Sequence, residues 1–194
     1  MALTESNMLP LGTQAPDFVL LDVVSKEEKS LPLLKGKNGT LIVFSCNHCP
    51  YVIHLLDAFL IKVKQWNPLG INTIVISSNS IESHPQDGPA EMAVLAREKG
   101  FDFPYLFDET QEVAHAYDAA CTPDFYLFDS ALKLNYRGRF DASRPGNDNS
   151  LNGEDLQAAV DALLHKKTPL TEQWPSMGCN IKWHPGNEPA NWNV

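Results

Sequence analysis

The sequence predicts an α/β fold, a mixed central sheet covered by helices on both faces. A strand extension leads into it, and a tail rich in Trp and Pro follows. Three observations predict this. Apolar runs of strand length alternate with stretches of helical periodicity, the pattern of parallel strands joined by crossover helices. Two late runs, Asp124–Asp129 and Leu132–Phe140, flank Ser130-Ala131 as a hairpin, which adds antiparallel strands to the sheet. Finally, Cys46-Asn47-His48-Cys49 falls where an apolar strand gives way to a long helix. That is the carboxyl end of a strand, where sites in such sheets lie.

The elements follow in order, without internal repeats or low-complexity segments. Asp17–Val24 reads as a first strand and Ser25–Lys29 as a charged turn. Leu41–Ser45 is uniformly apolar up to its last residue, as a strand buried on both faces must be. A helix starts near Asn47–Pro50 and runs to about Trp66, with Val52, Ile53, Leu56, Phe59, Leu60 and Val63 at three- and four-residue spacing. Pro50 suits its first turn, where a missing N–H costs nothing, and Asn67-Pro68-Leu69-Gly70 ends it. Ile71–Ser77 is a second buried strand. Pro89–Lys99 is a helix between Asp87 or Gly88 and Gly100. Pro104–Phe107 is a short strand and Glu109–Tyr117 a short helix. Gly153–His165 is the last helix, with Asn152 as its cap.

The division expected is one domain over 1–167 and an extension over 168–194. The extension holds Pro169, Pro175, Pro185 and Pro189 with Trp174, Trp183 and Trp192. Such aromatic content suits a segment lying across the body or across a second subunit, so a homodimer is allowed. A chain of 194 residues buries roughly 70% of its unfolded surface and needs no disulfides for stability. Its four cysteines therefore read as chemical. The formal charge of −9, with no basic cluster, argues against nucleic acid and anionic membranes. The first residues lack a basic segment followed by an apolar run, and no apolar stretch approaches the roughly 18 residues of a membrane span. The expected location is the cytoplasm.

Two cysteines separated by two residues at a strand-to-helix turn can cycle between dithiol and disulfide. Cys46, beside the unpaired N–H groups of the helix start, is the expected thiolate and nucleophile. Cys49, one turn on, is the expected resolving thiol. His48 can place positive charge beside them or move a proton. Zinc would need further ligands at recognisable spacing, and haem attachment a His where Pro50 stands. No metal and no cofactor are expected.

Leu41–Cys49, Thr122-Pro123-Asp124-Phe125-Tyr126-Leu127-Phe128-Asp129 and Gly12-Thr13-Gln14-Ala15-Pro16-Asp17-Phe18 resemble the thioredoxin-like superfamily. Within it the chain is similar to the branch of peroxiredoxins and the thiol-specific antioxidant family. It resembles most a peroxiredoxin-like subgroup carrying Cys-Asn-His-Cys-Pro, a Tyr-Arg-Gly-Arg hairpin (Tyr136–Arg139) and a Ser-Arg-Pro-Gly-Asn loop (Ser143–Asn147). The resemblance spans roughly residues 10 to 185. It implies a thioredoxin-like fold with Cys46 and Cys49 as the redox pair and Pro123 as a cis-proline. Thr122 would offer its backbone to a substrate strand, with Asn47 beside it. It further implies an oxidoreductase acting on a disulfide-bearing protein or a small hydroperoxide, and re-reduced by a separate thioredoxin- or glutathione-type thiol system.

Asn47-His48 replaces the Gly-Pro inside the thioredoxin motif, and a His before the second cysteine resembles the more oxidising members. A potential of roughly −240 to −180 mV is expected, which leaves the couple reduced in a cytosol poised near about −280 mV. Thiol–disulfide exchange is the first reading. A thiol peroxidase is the second, although the Thr of peroxiredoxins, three residues before the cysteine, is Val43 before Cys46 and Cys46 itself before Cys49. Arg137 or Arg139 could supply the missing positive charge. A non-catalytic binding module using the Trp-rich tail is the third. Cys121 and Cys179 are auxiliary candidates that could bridge to one another or relay electrons. His54 could face the site, while His84, His115, His165 and His184 carry no assignment. Asp17 and Asp124 are unassigned proton acceptors, and the expected central strand offers no buried acid.

Overall fold

The computed structural model describes residues 3–190, so Trp192 lies outside the described residues. The strands are β1 (Leu3–Glu5), β2 (Val19–Asp22), β3 (Glu27–Ser30), β4 (Gly39–Phe44), β5 (Ile71–Ser77), β6 (Tyr105–Phe107), β7 (Cys121–Thr122), β8 (Asp124–Asp129), β9 (Leu134–Gly138) and β10 (Met177–Asn180). The α-helices are α1 (Leu31–Leu34), α2 (Pro50–Trp66), α3 (Pro89–Lys99), α4 (Glu112–Ala116) and α5 (Glu154–Leu164).

Seven strands form the central sheet in the order β3-β2-β6-β5-β4-β8-β9. The β4–β5 and β5–β6 pairs are parallel, and the outer pairs are antiparallel, so the sheet is mixed. Every residue of β4 is buried because apolar layers cover both faces. Leu41 and Val43 join one layer with Phe59 and Val63 of α2, Met92 and Ala96 of α3, and Val160 of α5. Ile42 and Phe44 face the other layer, with Leu31 of α1, Val113 and Ala114 of α4, and Tyr117. Alternation along one strand thus fills two cores. This is the thioredoxin-like architecture.

Several sequence expectations need correction. Ser25–Lys29 is not simply a turn: Glu27–Ser30 is a strand paired with β2. It forms the sheet's edge, where charged side chains protect unpaired backbone, so it lacks the apolar alternation that marks inner strands. The short helix begins at Glu112 rather than Glu109, since Asp108 takes the Ala114 N–H at 2.9 Å within the first turn. Gly153 rather than Asn152 stands at the cap position of α5, although the Asn152 side chain accepts the Glu154 N–H at 3.0 Å.

A second, three-stranded sheet runs β1-β10-β7. The tail that the sequence leaves without secondary structure therefore contributes a strand, laid on the backbone just before Pro123. Farther back, the tail crosses β9, where a Cβ on Gly138 would collide with the Trp174 carbonyl oxygen. Among the described residues, no helix is long and apolar enough to cross a membrane.

Candidate active site

The carboxyl end of β4 feeds Ser45 and Cys46 into the turn before α2, and the Thr122–Pro123 peptide, which is cis, lies opposite. Cys46 Sγ is 3.4 Å from Thr122 Oγ1, and Cys49 Sγ is 3.1 Å from the Thr122 carbonyl oxygen. Cys46 and Cys49 pack in one buried cluster, and both have no solvent exposure. The strand-to-helix junction thus brings Cys46, Cys49, Thr122 and Pro123 together.

The two thiols shift in opposite directions. Alpha-helical structure begins at Pro50, so the cap residue is Cys49 and not a residue nearer Cys46. The hydrogen bond from Cys46 pulls the Cys49 thiol down to about 4 against the opposing effect of burial. Cys179, Thr122 and the Val52 amide help it. Cys46 moves the other way: its bond to Cys49, its burial and the Asp87 carboxylate push it well up. These shifts run against the expectation that the helix end ionises Cys46. The two thiols titrate as a pair that shares one proton.

Asp87 is the group sequence reasoning missed, having been read only as a helix-start residue. It is wholly buried. Its Oδ1 accepts the Asn47 N–H at 2.8 Å and the His48 N–H at 3.3 Å. Its Oδ2 lies 2.6 Å from His48 Nδ1 and accepts from Asn79 Nδ2 at 2.8 Å. Burial opposes its ionisation, yet the bonds from His48 and Asn79 outweigh it and hold the carboxyl below the usual range. His48 is therefore spent on Asp87 and stacks on His84 with ring centroids 4.6 Å apart, while its Nε2 is buried without a hydrogen-bond partner among the described residues. Asn47 is fixed by Gln86 O at 2.9 Å and by the Tyr105 hydroxyl, which donates to Asn47 Oδ1 at 3.0 Å. Nothing local marks Asp87, since it reaches the motif from about 40 residues away.

Cys46, His48 and Asp87 also place three metal-ligating atoms within 4.8 Å of one another, a cluster the ligand spacing in the sequence does not reveal. Both Asp87 oxygens already accept protein hydrogen bonds, which fits a positioning carboxylate better than a metal ligand.

The other candidates lie elsewhere. Arg137 donates to Gln173 Oε1 at 2.6 Å, and Arg139 pairs with Asp155 at 2.6 Å beneath the Trp174 ring. Both hold the tail. His54 bonds Ser143 Oγ at 2.8 Å, tying α2 to the Ser143–Asn147 loop. Asp17 accepts its neighbour's N–H, from Phe18, and Asp124 is buried against the Tyr126 hydroxyl at 2.8 Å. Neither is among the groups that shift the dithiol.

Thr122 does not present a vacant edge. Cys179 of β10 pairs with Thr122, and Asn180 with Cys121. Directly opposed residues share a face of a sheet and successive ones alternate, so Cys179 and Cys121 point to opposite faces. The Cys121–Cys179 bridge is disfavoured by that register. Cys179 instead lies in a buried cluster with Cys46, Cys49 and Val52, while burial, followed by the Asp124 carboxylate, pushes the Cys121 thiol well up.

The AhpC/TSA family matches residues 11–137. An uncharacterised conserved protein of Geobacillus kaustophilus shares 48% identity over 96% of this chain and 98% of its own, with a TM-score of 0.94. A hypothetical protein of Sinorhizobium meliloti 1021 shares 42% over 94% of this chain and 100% of its own, with a TM-score of 0.90. The peroxidoxin BcpB of Mycobacterium tuberculosis is similar in fold, with 17% identity, a TM-score of 0.60, and coverage of 80% of this chain and 96% of its own. Among curated proteins, none matches.

Proposed function

This chain belongs to the AhpC/TSA family and is an oxidoreductase; from that premise we propose that it reduces disulfides through a Cys46/Cys49 dithiol couple. The observation that carries the reading is the burial of both sulfurs in one cluster at the strand-to-helix turn, with Thr122 against both. The sequence reading makes Cys46 the attacker. The charge distribution favours the reverse order, in which Cys49 attacks and Cys46 resolves.

In that order the Cys49 thiolate attacks one sulfur of a substrate disulfide, forming a mixed disulfide and expelling the first substrate thiolate. The charge that kept Cys46 protonated is then gone. Cys46 loses its proton, attacks Cys49 Sγ and expels the second substrate thiolate. The substrate gains two electrons, and the protein is left with a Cys46–Cys49 disulfide. One leaving thiolate takes the Cys46 proton and the other a proton from water. A separate thiol reductant then restores the dithiol.

Asp87 and Asn47 fix the turn, and Thr122 lines it. Because β10 covers the Thr122 backbone, the substrate is better pictured as a compact or small disulfide than as an extended strand paired there. The full burial of both thiols also suits a small hydroperoxide, which keeps peroxidase activity as the second reading. The engagement of Arg137 with Gln173 and of Arg139 with Asp155 ranks it second.

Mixed-disulfide trapping tests the proposal. In a Cys179→Ser background, incubated with a small aromatic disulfide, Cys46→Ser should accumulate an adduct on Cys49, and Cys49→Ser should react far more slowly. A stable adduct on Cys46 in Cys49→Ser would restore the sequence order. Absence of a Cys46–Cys49 disulfide in the oxidised wild type would overturn the dithiol mechanism. Sulfenic acid formed faster with hydroperoxide than exchange occurs with disulfides would establish the peroxidase.

A further inference from the structure

The tail brings a third sulfur to the dithiol. The Cys179–Thr122 register turns Cys179 to the face of the small sheet that carries Thr122, whose Oγ1 touches Cys46. There Cys179 packs into the buried cluster with Cys46 and Cys49, so Cys49 has Cys46 as one sulfur neighbour and Cys179 as another. The approach is as close as backbones allow, since a Cβ on Gly178 would collide with the Thr122 carbonyl oxygen. Only glycine lets β10 sit at that depth.

The strand is also held from both ends. Ser6 N–H donates to Ser176 O at 3.0 Å, and Ile181 N–H donates to Ala120 O at 3.1 Å. Lys182 N–H donates to Asn79 Oδ1 at 2.9 Å, and Asn79 also bonds Asp87. Ile181 and Trp183 are buried in the core beyond. Cys179 is therefore a fixed part of the site rather than a passing tail residue.

We propose that Cys179 is a third redox thiol of this site, exchanging with the Cys46–Cys49 disulfide to give a Cys49–Cys179 disulfide. This rests on the dithiol reading above. Cys179 loses its proton and attacks Cys49 Sγ. The Cys46–Cys49 bond breaks, the Cys49–Cys179 bond forms, and Cys46 leaves as a thiolate that takes up a proton. The exchange involves no net oxidation, since the substrate disulfide has already removed the two electrons. In the resting protein, burial and the charged Cys49 push the Cys179 thiol up to about 12. Once Cys49 is in a disulfide its charge is gone, and only burial opposes ionisation of Cys179. The third thiol is thus silent while the site is reduced and becomes available on oxidation. The product ties the tail strand covalently to the start of α2 and returns Cys46 to the thiol state.

The test uses the full chain and oxidised glutathione as probe. In Cys46→Ser, Cys49 attack releases one molecule of reduced glutathione, and closure by Cys179 releases a second. Two molecules per chain, with mass spectrometry finding a Cys49–Cys179 link, are expected. Adding Cys179→Ser should cut release to one and leave Cys49 glutathionylated. One molecule from Cys46→Ser, with a persistent Cys49 adduct, would overturn the proposal. Wild type provides a reading independent of either variant's folding. Both Cys46–Cys49 and Cys49–Cys179 peptides are expected after oxidation. Cys46–Cys49 alone would defeat the role of Cys179 and leave the dithiol reading standing, whereas neither link would defeat both.

Discussion

The carboxylate of Asp87 meets the ring of His48 at 2.6 Å inside the protein, joining residues 39 apart in sequence. The same carboxylate holds the backbone N–H groups of Asn47 and His48. The turn between the two cysteines is thus shaped from outside, by a loop that follows β5. The consequence is electrostatic as well as geometric, because Asp87 is one of the groups that push Cys46 up.

Asp87→Ala should therefore destabilise the protein by about 2–4 kcal/mol, since it leaves buried donors without an acceptor. It should also make Cys46 easier to ionise. Denaturant unfolding and thiolate absorbance against pH read the two effects. The pH dependence has a definite sign. The folded-state carboxyl lies below its unfolded value, so its stabilisation is present above the unfolded value and lost as pH falls through the folded one. Asp87→Asn should flatten that acid limb. An unchanged acid limb together with unchanged Cys46 titration would remove Asp87 from the site.

Asp124 gives the opposite sign. Burial pushes its carboxyl up to about 7, against the hydrogen bond from the Tyr126 hydroxyl. The folded state then holds a proton that the unfolded chain has released, so stability is full below the unfolded value near about 4 and falls as pH rises toward 7. The loss should amount to a few kcal/mol across that window, since each pKa unit corresponds to about 1.4 kcal/mol. Asp124→Asn keeps an oxygen for the Tyr126 hydroxyl and should remove most of the slope. Thermal unfolding from pH 4 to 8 checks it; equal slopes in both proteins would show that Asp124 ionises normally.

Gly138 tests the tail's seat on the body. Its φ of +137° is accessible essentially to glycine alone, and any Cβ there meets the Trp174 carbonyl oxygen. Gly138→Ala should cost at least about 2 kcal/mol through backbone strain and displacement of the tail. It should also speed amide exchange at Arg139, whose N–H donates to Trp174 O at 3.0 Å. Wild-type exchange at Arg139 in the variant would mean that the tail is not held there.

Local physics made much of this protein legible from sequence. The uniform apolarity of Leu41–Phe44 marked a strand buried on both faces. The three- and four-residue spacing from Val52 to Val63 marked the face of α2. Ile71–Ser77 and Pro89–Lys99 were bounded by residues whose own backbone preferences start and stop such elements, and their observed bounds coincide with the expected ones. The strand-to-helix junction at Cys46 to Cys49 follows from the same short-range rules.

What only the tertiary structure decided are the contacts between segments distant in sequence. Asp87 reaches the motif because β5 ends beside β4, a neighbour relation that no local period encodes. Charged Glu27–Ser30 becomes a strand because β2 offers it an edge, not because its residues favour one. Cys179 faces Cys49 rather than Cys121 because strand register assigns alternate residues to opposite faces, and a shift of one residue would reverse the choice. The electrostatics of the dithiol were a tertiary outcome too. The sequence placed two thiols at the head of a helix, but the Asp87, Thr122 and Cys179 groups that act on them come from distant segments.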